Sequence, residues 1–477
     1  MRTLSCDVAV IGAGSAGMTA FRAASAHGKR VLLIESGPYG TTCARVGCMP
    51  SKLLIAAADA AHAVAEAPAF GVYAGMPNVD GRAVMDRVRA ERDRFVDFVV
   101  GNIDSIDPSQ RLNGHARFIA PDRLQINGHT EVLATSIVIA TGSRPAIPEA
   151  LRELGDRLVV NDDVFDWHDL PDSVAVIGTG IIGLELGQAL ARLGVRIAIF
   201  GRSASLAQLH DPEVLQAARA CLGAELDLRL NTSVVSAERS NDAVTLKTRD
   251  ADGRERTESY QFVLAATGRT PNVAGLGLEH TGLRLNQRGV PVYDPHTMQC
   301  GDSAIFLAGD VDEDRPLLHE ATDEGHIAGD NAARFPAVVQ GARRAALSIA
   351  FTDPQIATVG QSSRTLADAR YEHGEVSFAD QGRSRVMLQN RGLLRVYGEH
   401  GTHRFLGAEM IGPRAEHIAH LLAWACQNRM TVEQMLAMPF YHPVVEEGMR
   451  TALRNLKEKL VRRVDAMEHC ADCTPGR

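Results

Sequence analysis

The feature that most constrains this chain is a glycine-punctuated turn between a strand and a helix, which occurs twice. Asp7 to Ile11 reads DVAVI, a β-branched run suited to a buried parallel strand, and leads directly into Gly12, Ala13, Gly14, Ser15, Ala16 and Gly17. In that G-x-G-x-x-G spacing the first glycine permits the tight turn, the second lets a pyrophosphate approach the backbone, and the third lets the helix pack closely on the strand. The helix N-terminus then faces the phosphates. Val31 to Ile34 predicts the next strand, ending at Glu35, 23 residues after Gly12, where a carboxylate can accept ribose hydroxyls. A glycine-rich turn without a ligand is the alternative for such a motif alone; strand, helix, spacing and acid together favour a dinucleotide.

The pattern returns between the predicted strands Val174 to Ile177 and Ile197 to Phe200, with Gly178, Gly180 and Gly183 restating the fingerprint around Ile182. Each copy is followed by an apolar strand that ends in an Ala-Thr-Gly turn. The first reads Ala140, Thr141, Gly142, Ser143, Arg144, Pro145, and the second Ala266, Thr267, Gly268, Arg269, Thr270, Pro271. The copies differ at one place. Twenty-three residues beyond Gly178 stands Gly201, followed by Arg202 and Ser203, with no carboxylate. An acid there would bind a 2′-hydroxyl and repel a 2′-phosphate, whereas glycine leaves space and Arg202 offers a charge-assisted donor. The second site therefore leans toward NADPH, the alternative being that Arg202 is a solvated loop arginine.

At 477 residues the chain is long enough for about three domains. Its net charge of −8 gives no reason to expect a nucleic acid or an anionic membrane as partner, so a small molecule is the better expectation. The N-terminus lacks the charged, apolar and small-residue regions of a secretory leader, because Asp7 interrupts the first apolar run, and a cytoplasmic location is expected. The Ala-rich segment from Leu53 to Phe70 carries Asp59, His62 and Glu66, which suits an amphipathic helix and not a bilayer span. Eight cysteines are too sparse for a disulfide scaffold and need individual readings.

Two of them lie in the most specific segment of the chain, Gly40, Thr41, Thr42, Cys43, Ala44, Arg45, Val46, Gly47, Cys48, Met49, Pro50, Ser51, Lys52. Residues five apart on a regular helix rise about 7.5 Å, beyond the Cα separation of roughly 4.4 to 6.8 Å that a disulfide tolerates. A bridge between Cys43 and Cys48 thus requires a local departure from helix geometry, for which Gly47 and Pro50 are suited. Such a strained bridge beside a nucleotide site would be reducible and reactive. The alternative is a pair of reduced thiols packed beside the first domain.

Taken in order, the Gly12 fingerprint, the Cys43 to Lys52 segment, the Gly178 fingerprint, Ala266 to Asn272, the run Leu307, Ala308, Gly309, Asp310, and His442, Pro443 with Glu447 resemble the pyridine nucleotide disulfide oxidoreductases. Within that family the likeness is to the group containing dihydrolipoamide dehydrogenase, glutathione reductase and mercuric reductase. The resemblance covers nearly the whole chain and implies an α/β fold. Two Rossmann-like domains, for FAD (1–148) and NAD(P) (149–270), would be followed by a central segment completing the FAD domain (271–343), a C-terminal α+β dimerisation domain (344–466) and a tail (467–477). It implies FAD contacts at Gly12, Gly14, Ser15, Ala16, Gly17, Glu35, Ser36, Thr42, Lys52, Ala116, Thr141, Gly142, Ser143, Asp310, Leu318 and His319. NAD(P) contacts are implied at Gly178, Gly180, Ile182, Gly183, Glu185, Gly201, Arg202, Gly268 and Arg269, with Lys52 and Glu185 paired beside the flavin.

By the same resemblance Cys43 is the interchange thiol and Cys48 the thiol that meets the flavin. His442, oriented by Glu447, is the base that takes a proton from an incoming thiol, contributed by the partner subunit of a homodimer with shared active sites. The substrate would be a small dithiol or disulfide, with a protein-bound lipoyl group the first choice. An NADPH-dependent reductase of mercuric ion or of a glutathione- or thioredoxin-like disulfide is the second, and a catalytically silent flavoprotein acting as a redox sensor or subunit is the alternative outside enzymes. The tail carries His469, Cys470 and Cys473, which would serve as a thiol relay or be incidental. With no fourth ligand nearby they do not read as structural zinc, and no metal site is expected.

Overall fold

The computed structural model describes residues 2–367 and 369–471, with side chains as far as Val461. Cys473, and the side chains of His469 and Cys470, lie outside the described residues.

Strands that are apolar on both faces must be covered on both, and parallel sheets meet that demand. In the first sheet, Arg111–Asn113, Val31–Glu35, Arg2–Ile11 and Thr130–Ile139 lie side by side and parallel, with Val8, Ala9 and Val10 fully buried. Ile11 stands opposite both Ile34 and Ile139, so these strands end level and bring Gly12 and Ala140 together at the carboxyl edge. The short strand Ile305–Leu307 pairs parallel with the same long strand, Leu307 opposite Ile139, and so delivers Gly309 and Asp310 to that edge. Its successor, the helix Leu318–Arg334, packs Ala321, Ile327 and Ala328 into the core that Ala16, Ala20 and Ala24 of the first phosphate helix, Ser15–Ala26, also enter. The segment from Ile305 to Arg334 therefore completes the first nucleotide unit.

The second unit repeats the plan with five parallel strands in the order Leu228–Arg229, Arg196–Phe200, Ser173–Ile177, Phe262–Ala265 and Leu158–Val159. An antiparallel three-stranded sheet, residues 233 to 260, precedes its fourth strand in the order of the sheet. The C-terminal unit is a five-stranded antiparallel sheet from Leu347 to Gly412, covered by the helices Ala415–Gln427 and Glu447–Ala471.

One helix ties the units together. On the second phosphate helix, Ile181–Arg192, Glu185 accepts the Phe351 N–H at 2.8 Å, and Gln188 accepts the Asp353 N–H at 2.8 Å and donates to its carbonyl at 2.9 Å. Arg192 pairs with Asp353 at 3.0 Å and with Asp59 of the helix Cys48–Glu66 at 3.2 Å. By length and hydropathy the run Thr42–Phe70 could cross a membrane. In this fold Leu54, Ala58 and Ala61 of that run are instead buried in the core shared with the second unit.

Candidate active site

The two fingerprints are built alike to the atom. A Cβ on Gly12 would lie 2.3 Å from the Ala140 carbonyl oxygen, and one on Gly178 would lie 2.2 Å from that of Ala266. The third glycines are as tight, Gly17 against the Gly12 carbonyl at 1.8 Å and Gly183 against that of Gly178 at 2.2 Å. The middle glycines differ in kind, since a Cβ on Gly14 or Gly180 would meet no protein atom within 4 Å. The outer glycines thus serve packing, and the middle one leaves the backbone open at a helix N-terminus.

Both open turns line one cavity of about 990 Å³. It passes from Gly14, Ser15 and Ala16 by Thr42, Cys43, Cys48 and Lys52 to Gly178, Gly180, Ile182, Glu185, Gly201 and Arg202, with Gly142, Ser143, Gly268, Arg269, Asp310, Leu318 and His319 also on its wall. A cavity open at two helix N-termini fits two phosphate-bearing ligands that meet at the cysteines. The buried His319 Nε2, on this wall, has no hydrogen-bond partner among the described residues, which suits a further polar group there.

The cysteines stand where the chain breaks between two helices, Thr42–Val46 and Cys48–Glu66. Gly47, at φ −127° and ψ −117°, is the break, while Pro50 sits in the first turn of the second helix, where no N–H is needed. Both cysteines stand on the cavity wall. The hydrogen bond from Cys43 lowers the Cys48 thiol to about 7, against the effect of burial and with help from the Lys52 charge. Cys43 is pushed up, first by holding the proton of that hydrogen bond and then by burial. Cys48 is also the first residue of a 19-residue helix, whose N-terminus favours an anion. Of the two, Cys48 is therefore the thiol that ionises first.

Lys52, one turn along, pairs with Glu185 at 2.7 Å and lies 4.6 Å from the centre of the Phe351 ring. Asp310 accepts from Ser143 Oγ at 2.9 Å, and Arg269 donates to Ser143 Oγ at 2.7 Å and to its carbonyl at 2.8 Å. These bonds join the two Ala-Thr-Gly turns, whose following residues pair as an antiparallel ladder, Ser143 opposite Pro271. At the end of the chain's last loop, His442 Nδ1 lies 3.1 Å from both Glu447 oxygens, with the imidazole 80% exposed. The hydrogen bond with His442 holds the Glu447 carboxyl below its ordinary range. Neither residue lines the cavity of its own chain.

Of the expected cofactor contacts, Gly12, Gly17, Glu35, Ser36, Ala116, Thr141 and Gly183 do not line this cavity. Thr141 does not face the cavity, because its hydroxyl is used on the Asn272 carbonyl at 2.8 Å. Ala116 is buried in the strand Ala116–Ala120 opposite Ile126, where it is part of the core. Ser36 is exposed and outside the cavity wall. Glu35 is also outside that wall, its carboxylate accepting the N–H groups of Ala13 at 2.7 Å and Gly37 at 2.8 Å. Thr179, the middle residue of the second G-x-G, was not singled out by sequence. A Cβ on Gly201 would lie 2.8 Å from Thr179 Cγ2, so a side chain at 201 would require Thr179 to shift.

The pyridine nucleotide-disulphide oxidoreductase pattern matches residues 6–325, and the dimerisation domain of the same family matches 347–453. The chain belongs to this family. It is a flavin-dependent NAD(P)H oxidoreductase, and its cofactors are FAD and NAD(P)(H). Among its relatives are a mercuric reductase from Shigella flexneri, 32% identical over 94% of this chain and 81% of that protein, and a dihydrolipoyl dehydrogenase from Thermus scotoductus, 30% identical over 95% of this chain and 98% of that protein. LpdA from Mycobacterium tuberculosis shares the fold, with a TM-score of 0.81 at 22% identity over 96% of this chain and all of that one. The dimerisation domain supports a homodimer.

Proposed function

We propose that this enzyme exchanges electrons between a small dithiol or disulfide of the lipoyl type and NADP(H) through the Cys43–Cys48 pair. The observation that carries the reading is the position of that pair, on the wall of one cavity between the two open fingerprint turns and one helical turn from the Lys52–Glu185 ion pair. Bound FAD, held along Gly14 to Ala16, Ser143 and Asp310, supplies two-electron exchange between this pair and the nicotinamide.

In the oxidising direction His442 of the partner subunit accepts a proton from the first substrate thiol, with Glu447 orienting the ring. The substrate thiolate attacks Cys43 Sγ of the disulfide, forming a mixed disulfide and releasing Cys48 as a thiolate. The second substrate thiol, deprotonated in its turn, attacks the substrate sulfur joined to Cys43. The substrate leaves as a disulfide, Cys43 takes a proton, and Lys52 balances the Cys48 charge. Two electrons have then moved from substrate to protein. The reverse sequence reduces a disulfide.

The preference for NADP(H) is supported by Arg202, an exposed guanidinium on the cavity wall, and by Gly201, on the same wall, which puts no carboxylate there to repel a 2′-phosphate. Steady-state turnover of the purified dimer tests the reading. Dihydrolipoamide is paired with NADP⁺ and with NAD⁺, and NADPH with lipoamide, oxidised glutathione and Hg(II). The highest kcat/KM is expected for the lipoyl substrates with NADP(H). A higher value for Hg(II), the substrate in the name of the Shigella relative, would replace the substrate assignment, and equal use of NAD(H) would remove the coenzyme assignment.

A further inference from the structure

Behind the Gly309–Asp310 turn lies a buried carboxyl pair that the chemistry above does not use. Glu324, on the helix Leu318–Arg334, is fully buried and accepts the Gly309 N–H at 2.8 Å. Gly309 has φ +80°, and a Cβ there would lie 2.8 Å from Ala16 Cβ, so the turn is clamped between the first phosphate helix and Glu324. Asp312, 7% exposed, is in hydrogen-bonding contact with Glu324, and its oxygens also accept Tyr293 Oη–H at 3.0 Å and the Asp314 N–H at 2.9 Å.

The groups facing Glu324 are Asp312 and Asp314 from the turn, Tyr293 from the preceding segment, Arg343 from the strap before the C-terminal unit, and Glu320 from its own helix. Arg343 lies 2.9 Å from Glu324, 3.0 Å from Glu320 and 3.4 Å from Asp314; Arg315 lies 3.0 Å from Glu320. Two guanidiniums thus face four carboxyls. Full ionisation would leave uncompensated negative charge away from water, and retaining a proton is the less costly state.

We propose that Glu324 and Asp312 share one proton and act as positioning residues that hold the Gly309–Asp310 turn in the shape FAD requires. The proposal rests on the reading of the first site as the FAD site. Burial, then the Asp312 charge, raises the Glu324 carboxyl to about 8, and burial raises Asp312 as well. An acid raised in this way contributes stability that is fully present below its ordinary range and lost as pH rises through about 8. Above that, two adjacent carboxylates repel and Asp312 is pushed away from Glu324, which shifts the turn that carries Asp310 although the Gly309 N–H bond is kept.

The test is titration of the apoprotein with FAD, followed by flavin fluorescence quenching from pH 6 to 9. For the unmodified protein, Kd is expected to rise about tenfold between pH 7 and pH 9 as one proton is lost. Glu324→Gln keeps an acceptor for Gly309 and adds a donor toward Asp312, so its Kd should stay near the pH 7 value with no pH slope. Glu324→Ala should weaken binding about tenfold at every pH. A Glu324→Gln protein with the unmodified pH slope would overturn the proposal, as would unmodified affinity in Glu324→Ala. Failure of the unmodified protein to bind FAD at any pH would instead remove the site reading on which the proposal stands. Melting by circular dichroism identifies a Glu324→Ala protein that fails to fold, and Glu324→Gln then decides alone.

Discussion

The two nucleotide sites are one scaffold used twice. At each, the first glycine lies under an alanine carbonyl, the third packs against the first, and the middle one is open to the cavity. They part company at the end of the second strand. The first site places Glu35 there, held by two backbone N–H groups, and the second places Gly201, packed on Thr179, and then Arg202. The lesson is that the turn is dictated by backbone packing, which tolerates no variation, whereas ligand choice is left to a strand end where side chains face the cavity or are excluded from it.

The severest way to break the comparison is to cut the link between the sites. Cys48→Ser removes the thiolate on which both cofactors depend, and turnover should fall by about a thousandfold or more, as for loss of other covalent catalytic groups. The long-wavelength absorbance expected on two-electron reduction, from a thiolate against the flavin, should vanish while FAD stays bound. Survival of that band would show that the charge does not reside on Cys48.

Next in size is the contrast inside one fingerprint. Gly178→Ala puts a methyl group 2.2 Å from a carbonyl oxygen at φ +125°, and no stable second domain should form. Gly180→Ala meets no protein atom, so its melting temperature should match that of the unmodified protein while KM for NADPH rises about tenfold or more from the lost phosphate approach. Equal melting temperatures for the two variants would remove the distinction between packing and ligand glycines.

Much of this was legible beforehand because it is local. Spacing of glycines, the length of the strands and the Cys43 to Lys52 segment each declare themselves within about 15 residues, and Gly47 is where the helix gives way. What stayed hidden depends on chain that meets from far apart. The sequence around Thr141 gives no sign that its hydroxyl is spent on the Asn272 carbonyl, 131 residues away. Ala116 has no sequence signal that separates a strand interior from a nucleotide contact. Thr179 looks like filler in a G-x-G motif, and only the return of residues 201 to 205 beside it shows that it controls that strand end; its hydroxyl donates to the Ser205 carbonyl at 2.8 Å. Glu324 carries no motif that marks it as buried, since its partners come from two other segments, Gly309 and Asp312 from one turn and Arg343 from the strap before the C-terminal unit.

Arg202→Ala sharpens the difference between the two strand ends. A charge-assisted hydrogen bond contributes about 1.5 to 3 kcal/mol, so KM for NADPH should rise roughly 10- to 100-fold. KM for NADH, which has no 2′-phosphate, should stay within about twofold of its original value. Steady-state measurement with both coenzymes decides it, and parallel changes in the two would make Arg202 the solvated loop residue of the alternative reading.

The smallest effect is expected where the two sites meet. The Lys52 charge is one of the causes that bring the Cys48 thiol down to about 7, at which half the pair is thiolate at neutral pH. Lys52→Met removes that charge and should raise the thiol by about one unit, cutting the thiolate fraction at pH 7 and the rate of alkylation by iodoacetamide about fivefold. The low-pH limb of turnover should move upward by the same amount, because less thiolate is present at any given pH. Lys52→Arg keeps the charge and should restore most of the alkylation rate even if it alters nicotinamide binding. An unchanged rate in Lys52→Met would assign the depressed thiol to the Cys43 hydrogen bond and the helix N-terminus alone, and Lys52 would then act chiefly as the partner of the buried Glu185 carboxylate.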